Sequence, residues 1–539
     1  MAMPSFVKNM SWADRGFALL LLAFASVAIR FSFAESIWTD ESTQLSGLTL
    51  SVGDMVMWLA GAYPHPFDLP PDRQPPLSYL VMKVITFMGG GEVALRWLGI
   101  AAVLGAATCV YRVTRLLAEP VWALFAACFF LLRPETALVA VDIRPYPLLL
   151  LFSAVALEFT LRAALAIDDR SRLRNWAGAL VAALLAAYDH FFGLMVLGTV
   201  GLCALMTLAL TKKQVIKTFG LLTIAGLATL PLLPFILAAT TVGSHGAEGD
   251  VGAAAGLIGV IKDGVRLVYW TVGAGPVMAA NTVFLALALI STLILLLALL
   301  ASLGSALVGT MIGEERPRAV FCLVVSALVG LGLLFFARLV GVSRFDVLGP
   351  SYNIWLWPLV ALLIGLAASE GWQRWVGSAA AVLVAARAGA MGLLFLNPGH
   401  FSHSAGNAME ELLTEHSVEA IIYEPNAAWP SPYFTTTYRR GDDFPQYLAV
   451  LQDESFAFQR IQDGGALVPT GKPDISRVLV ARYVNMGEGE LRASLQTPGA
   501  SLPRGPLAEK LLADGGQLKA VLLYPSFVGA RLEVIDVPK

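Results

Sequence analysis

The chain reads as a polytopic α-helical membrane protein with a small α/β domain outside the bilayer. Three observations predict this. Of 539 residues, 57% are hydrophobic and only 14% charged, more apolar surface than a soluble chain of this length can hide. Apolar runs recur at 16–34, 93–111, 120–140, 146–166, 175–188, 191–210, 219–241, 281–303, 319–340, 352–369 and 375–396, many near the roughly 20 residues that cross a bilayer core as a helix. After Pro398 the long runs stop, and charge and turn residues increase. These lengths exclude a membrane β-barrel. The net charge of −2 gives no reason to expect a nucleic-acid partner.

The first run comes after Lys8 and Arg15 and is long enough to span, so it reads as an uncleaved anchor, with Arg30 snorkelling near its outer end. Only "YDHFFG" (188–193) separates the fifth and sixth runs. Counted as two spans, they keep the basic joints "YRVTR", "DDRSRLR", "TKKQVIK", "EERPR" and "QR" on one face. Basic joints collect on the cytoplasmic side, so eleven spans are expected, with the N-terminus inside. "PPLSYLVMKVITFM" (75–88) and 255–275 carry charge within apolar patterns and read as interfacial helices. The four cysteines lie in apolar runs, without metal-ligand spacing. Residues 1–397 are thus expected to form the transmembrane domain. In 398–539, the β-branched stretches at 419–425, 476–484 and 519–525 alternate with helix-like segments such as 405–416, predicting an extracytoplasmic α/β domain.

In this topology the outer face carries "TDES" (39–42) with its long loop, "DIRPY" (142–146), "YDHFFG" and "GVSRFD" (341–346). It also carries Arg73, Arg96, Arg144 and Arg344, and charge kept on the wrong side usually has a local partner. Asp40 and Glu41 stand where the first span leaves the bilayer. A solvated helix exit would account for them alone. They head an ordered set, however, that continues with "RQPPLSYL" (73–80), "GEVALRWLG" (91–99), Asp142-x-Arg144-x-Tyr146 and Tyr188-Asp189-His190, and ends on Arg344 before the tenth span.

In order and spacing over about residues 10–370, this set resembles the bacterial branch of the GT-C membrane glycosyltransferases. It is similar to the dolichyl-phosphate-mannose–protein mannosyltransferases and to the aminoarabinose transferases that modify lipid A. The resemblance implies that Asp40 of the Asp-Glu pair is the catalytic base. It departs from the family pattern at Gln74, where His is usual, at Asp142 for Glu and at Asp189 for Thr. His65 in "YPHPFD" is a candidate to replace the missing motif His.

The residue types suit sugar transfer from a polyprenyl phosphate. An acceptor hydroxyl needs a positioned carboxylate to take its proton, and in-line attack inverts the anomeric carbon. The departing lipid phosphate gains charge, so cations should converge on it. A guanidinium about 4 Å from a phosphate contributes on the order of 4 kcal/mol at an effective dielectric of about 20, before desolvation. Arg144 and Arg344 are the candidates for that role, with His190, Arg73 and Lys83 behind them. Glu41, Asp142, Tyr146, His65 and Gln74 are candidates to support or bind the acceptor. The bland readings are a local Asp142–Arg144 pair and a hydrogen-bonded structural His190. No obligatory metal or cofactor is expected. The donor is a polyprenyl-phosphate-linked sugar, and the acceptor is a glycan, glycolipid or protein hydroxyl.

Glu158 and Arg387 fall within spans, where an isolated charge is costly. Both are expected to face the bundle interior, and a mutual pair is one outcome. Other classes remain open: a transporter or flippase of lipid-linked sugars, a protein O-glycosyltransferase, or a carbohydrate-binding C-terminal module on an inactive membrane part. Polar motifs clustered on the outer side, not at the midplane, favour the enzyme. The expected location is the cytoplasmic membrane, in envelope glycan or lipopolysaccharide assembly.

Overall fold

The structure is a computed structural model. It describes residues 11–35, 39–63, 71–72, 74–211, 214–241, 257–273, 282–311, 314–339, 352–369, 373–396, 406–424, 444–452, 455–461, 467–484, 504–524 and 529–538. The chain divides into two compact units. One comprises Met1–Phe33, Arg73–Thr241 and Gly249–Asn397; the other comprises Ala34–Asp72, Val242–Glu248 and Pro398–Lys539.

In the first unit the described residues of the apolar runs are mostly helical. Among the described residues, six helices are long and apolar enough to cross a membrane, or seven if a bent pair counts as one span. The first is Trp12–Ala34; its Asp14 receives hydrogen bonds from Tyr111 and Arg115 of Glu92–Leu117, each at 2.7 Å. Arg30, near its other end, donates at 2.6 Å to the carbonyl of Phe395 in Gln373–Leu396.

The third run is not one straight helix. Pro120–Leu131 and Pro134–Val141 meet at 63°. Pro134 pushes the preceding residue out of the helical region, and Arg133 is extended at φ −71°, ψ 121°. The fifth and sixth runs are two helices, Asp169–Asp189 and Gly193–Thr211. Gly193 permits the tight connection between them: a Cβ there would stand 2.0 Å from the carbonyl of Ala186.

The intramembrane charges are buried, each with its own partners. Glu158, 5% exposed, takes Arg112 at 2.9 Å and Arg162 at 2.8 Å. Arg387, wholly buried, donates to the carbonyls of Phe129 at 2.7 Å and Val272 at 3.0 Å. Arg387 lies far from solvent beside Arg133, which pairs with Glu135 at 3.4 Å and donates to the carbonyls of Trp270 and Thr271. Both cations therefore hold consecutive carbonyls of the π-helical turn Tyr269–Gly273, which comes after the amphipathic helix Leu257–Val268. Their planar faces cover aromatic rings, Arg133 over Trp357 at 3.7 Å and Arg387 over Phe129 at 4.1 Å.

The second unit contains the helices Thr39–Thr49 and Val52–Leu59 and a seven-stranded sheet of order β4-β3-β2-β1-β5-β7-β6. The strands are β1 Ala420–Glu424, β2 Gln446–Gln452, β3 Ser455–Ile461, β4 Leu467–Thr470, β5 Arg477–Val484, β6 Gln517–Tyr524 and β7 Gly529–Asp536. β1 runs parallel to β2 and β5, and the outer pairings are antiparallel. Period-two alternation gives the sheet two apolar faces. Ile421, Tyr423 and Leu479 pack on Leu412 and Leu413 of helix Gly406–Glu415. Ile422, Val478 and Val480 pack on Leu507 and Leu511 of helix Pro506–Ala513. The domain is thus an α/β sheet covered on both faces.

Candidate active site

Asp40 is the second residue of helix Thr39–Thr49 in the second unit. That helix turns Glu41, Gln44, Leu45 and Leu48 to one buried face at i, i+3, i+4 and i+7. Glu41 is wholly buried. His65, Arg73 and Arg344 lie outside the described residues.

The remaining candidates belong to the first unit, and three of them come together there. Asp142 ends helix Pro134–Val141, its backbone N–H bonded to the Val139 carbonyl at 3.2 Å. The next turn carries Arg144, 4% exposed, and leads into Tyr146 at the head of helix Tyr146–Ala164. This turn is braced from behind. Arg96, 1% exposed, donates to the Val141 carbonyl at 2.5 Å. Gly99 lets the neighbouring backbone close in, since a Cβ there would meet the Ala140 carbonyl at 2.4 Å. Arg96, an expected wrong-side charge, thus has a local partner.

His190 caps the end of helix Asp169–Asp189 and is 2% exposed. Its ring centroid lies 5.4 Å from that of Tyr146, 5.6 Å from Phe192 and 6.2 Å from Tyr352; Phe192 and Tyr352 stack at 5.3 Å with 9° between planes. The Phe192 N–H donates to His190 Nδ1 at 3.1 Å. Burial first, and the Arg144 charge second, hold the imidazole down to about 3. The ring is therefore neutral, Nδ1 is the acceptor, and the proton sits on Nε2. Nε2 has no hydrogen-bond partner among the described residues. A buried N–H donor beside a buried guanidinium is suited to an anion.

The other candidates have separate settings. Tyr188 donates to the Ala228 carbonyl at 2.7 Å, a structural tie. Asp189 is wholly buried. Gln74 is 5% exposed, and its Oε1 is unpartnered among the described residues. Lys83 is half-buried on helix Leu77–Phe87. Among the described residues no group of three or more His, Cys, Asp and Glu side chains gathers as a metal site. Sequence reasoning missed Phe192 and Tyr352, although "HFFG" and "PSYN" carried the aromatics in plain view.

No family model and no curated protein matches the chain. Among solved structures, the chain is similar to ArnT from Cupriavidus metallidurans in the apo state, at 14% identity and TM-score 0.50, over 97% of this chain and 98% of that one. The same protein bound to undecaprenyl phosphate matches at 14% identity and TM-score 0.49 over the same shares. The S. cerevisiae protein O-mannosyltransferase Pmt1–Pmt2 complex bound to the sugar donor matches at 17% identity and TM-score 0.32, over 43% of this chain; the chain spans 33% of that one's length. The near-complete overlap with apo ArnT shows that this chain shares the fold of that protein.

Proposed function

We propose that the protein transfers a sugar from a polyprenyl-phosphate-linked donor to an acceptor hydroxyl at the outer face of the cytoplasmic membrane, inverting the anomeric carbon. In this reading the chain crosses the bilayer eleven times from a cytoplasmic N-terminus, and residues 398–539 form an extracytoplasmic domain. Envelope glycan or lipopolysaccharide is the preferred acceptor over protein.

The observation that carries the reading is that buried Arg144 lies near enough to His190 for its charge to act on the ring, whose Nε2–H has no partner among the described residues. Two fixed donors, shielded from water, suit a phosphate whose charge grows as the glycosidic bond breaks. Arg344, Arg73 and Lys83 complete the cationic set. Asp40 accepts the proton of the acceptor hydroxyl, and Glu41, Asp142, Tyr146, Gln74 and His65 support or bind the acceptor. The sugar departs from the phosphate oxygen and bonds to the acceptor oxygen; the phosphate keeps the electron pair of the broken bond. No step needs a metal.

The fold of ArnT, a protein also solved with undecaprenyl phosphate, supports the donor class. The test is mass spectrometry of envelope lipids and glycans from cells with the wild-type gene, without it, and with Asp40→Asn. One molecule should lose one sugar in both mutant strains. Loss without the gene but full modification with Asp40→Asn overturns the role of Asp40; no lost sugar in either overturns the reading.

A further inference from the structure

Arg133, 3% exposed, stands at the break between helices Pro120–Leu131 and Pro134–Val141. A buried guanidinium is costly unless paired, and this one places its donors on elements far away in sequence. Nε meets Glu135 at 3.4 Å, one terminal nitrogen donates to the Thr271 carbonyl at 3.3 Å, and the other donates to the Trp270 carbonyl. Its planar face lies 3.7 Å from the centre of the Trp357 ring.

Each of these contacts leads to the candidate phosphate site. Helix Pro134–Val141 starts directly after Arg133 and ends at Asp142, two residues before Arg144. The π-helical turn Tyr269–Gly273 continues the helix Leu257–Val268, which presents Val260, Gly264 and Leu267 on one face. Val260 and Leu267, buried with Leu334, pack against Phe192. This helix is bolted to Glu315–Leu339: Asp263 pairs with Arg338 at 3.2 Å, and a Cβ on Gly264 would stand 2.7 Å from the Phe335 ring. Phe192 then gives its N–H to Nδ1 of His190. Trp357 follows five residues after Tyr352, whose ring stacks on Phe192. One side chain is thus tied to the helix leading to Arg144 and to the packing behind His190. Two donors on separate segments serve one phosphate only when their separation is held to within about 0.5 Å.

We infer that Arg133 is a positioning residue, which keeps Arg144 and His190 in the register that lets both bind the same phosphate. The inference rests on the donor class proposed above and adds the residue that sets the geometry of its head-group site. Arg133→Lys retains a charge beside Glu135 but replaces the planar fork by one compact ammonium, which cannot span two carbonyls and stack on Trp357 in the same way.

The test compares binding of undecaprenyl phosphate and of undecaprenol, the same chain with a hydroxyl head, to the full-length protein in nanodiscs. The ratio of the two affinities reads recognition of the head group, whereas general loosening of the fold lowers both alike. Wild type should prefer the phosphate. Arg133→Lys should cut that preference roughly five- to tenfold, within the range for residues coupled in one network. Combined with His190→Asn, it should lose little more than His190→Asn alone, because alignment of two donors has no value once one is gone. Leu267→Ala, which opens the packing behind Phe192, should cut the preference in the same direction. A preference unchanged by Arg133→Lys, or effects that multiply in the double variant, overturns the inference and leaves the donor class standing. Wild type that binds both lipids equally overturns the phosphate site and the inference together. Should Arg133→Lys not fold, Leu267→Ala, alone and with His190→Asn, decides by the same two criteria.

Discussion

The backbone N–H of Phe192 donates to Nδ1 of His190 at 3.1 Å, and this bond assigns the ring proton to Nε2. The exchange His190→Asn keeps an acceptor near the position of Nδ1 and loses the far donor, whereas His190→Gln places an amide N–H near Nε2. His190→Asn should therefore weaken polyprenyl-phosphate binding roughly tenfold, the value of about 1.5 kcal/mol for one hydrogen bond to a charged group. His190→Gln should restore most of it. Affinity measured in nanodiscs, with thermal midpoints as the folding control, checks both.

Gly193 lies three residues after His190 and touches the Ala186 backbone where a Cβ would stand at 2.0 Å. Gly193→Ala should force this connection open and destabilise the protein by about 1–3 kcal/mol, the usual range for overpacking. A lowered thermal midpoint, with weaker phosphate binding because His190 moves, is the expected result.

Removing Arg387 strands two buried carbonyls, Phe129 and Val272. Arg387→Leu should cost about 2–4 kcal/mol, since each orphaned buried group costs about 1–3 kcal/mol and neighbouring apolar contacts offset part. Arg387→Lys, with one compact charge instead of a planar fork, should rescue only partly. Thermal unfolding in detergent reads both changes.

Two carboxylates of the sheet domain titrate with opposite effect. Bonds from Arg477 at 2.5 and 3.2 Å hold Asp536 below its ordinary range, helped by Lys519. A lowered folded-state pKa gives stability that is present above the unfolded value and lost as pH falls through the folded one. Burial raises Glu424 above its ordinary range despite its bond to the Leu507 N–H. Its contribution is present below the unfolded value, near pH 4.5, and lost as pH rises through the folded one. Glu424→Gln should therefore slow amide exchange in β1 and β5 at pH 7, with the gain shrinking as pH falls toward 4.5 and absent below it. Asp536→Asn should speed exchange at pH 7, with the effect shrinking as pH falls below about 3.8.

Apolar run length made the helices legible, and "EAIIYEP", "SRVLVARYV" and "KAVLLYP" marked β1, β5 and β6. Strand β3 and the edge strand β4 escaped notice because their polar residues interrupt the alternation, and pairing with neighbours sets their conformation. The bend at Arg133 was written in "RP", but a continuous apolar composition masked it. The site was legible where residues act locally, as in "DIRPY" and "YDHFFG". Glu158 found its partners at Arg162, four residues on, and at Arg112. Arg387 instead answers to carbonyls 258 and 115 residues away, which no spacing rule reaches.

Gly505 leaves room for the Glu424 carboxylate to reach the Leu507 N–H across 83 positions of chain, and β7 lies between β5 and β6. During synthesis, then, β1 emerges long before the helix it anchors, and the sheet cannot close until residue 536 is made. For a time the nascent polypeptide presents unpaired strand edges, the condition in which chaperones are most needed. Holdase capture should therefore be longest for ribosome-bound intermediates stalled between residues 424 and 536.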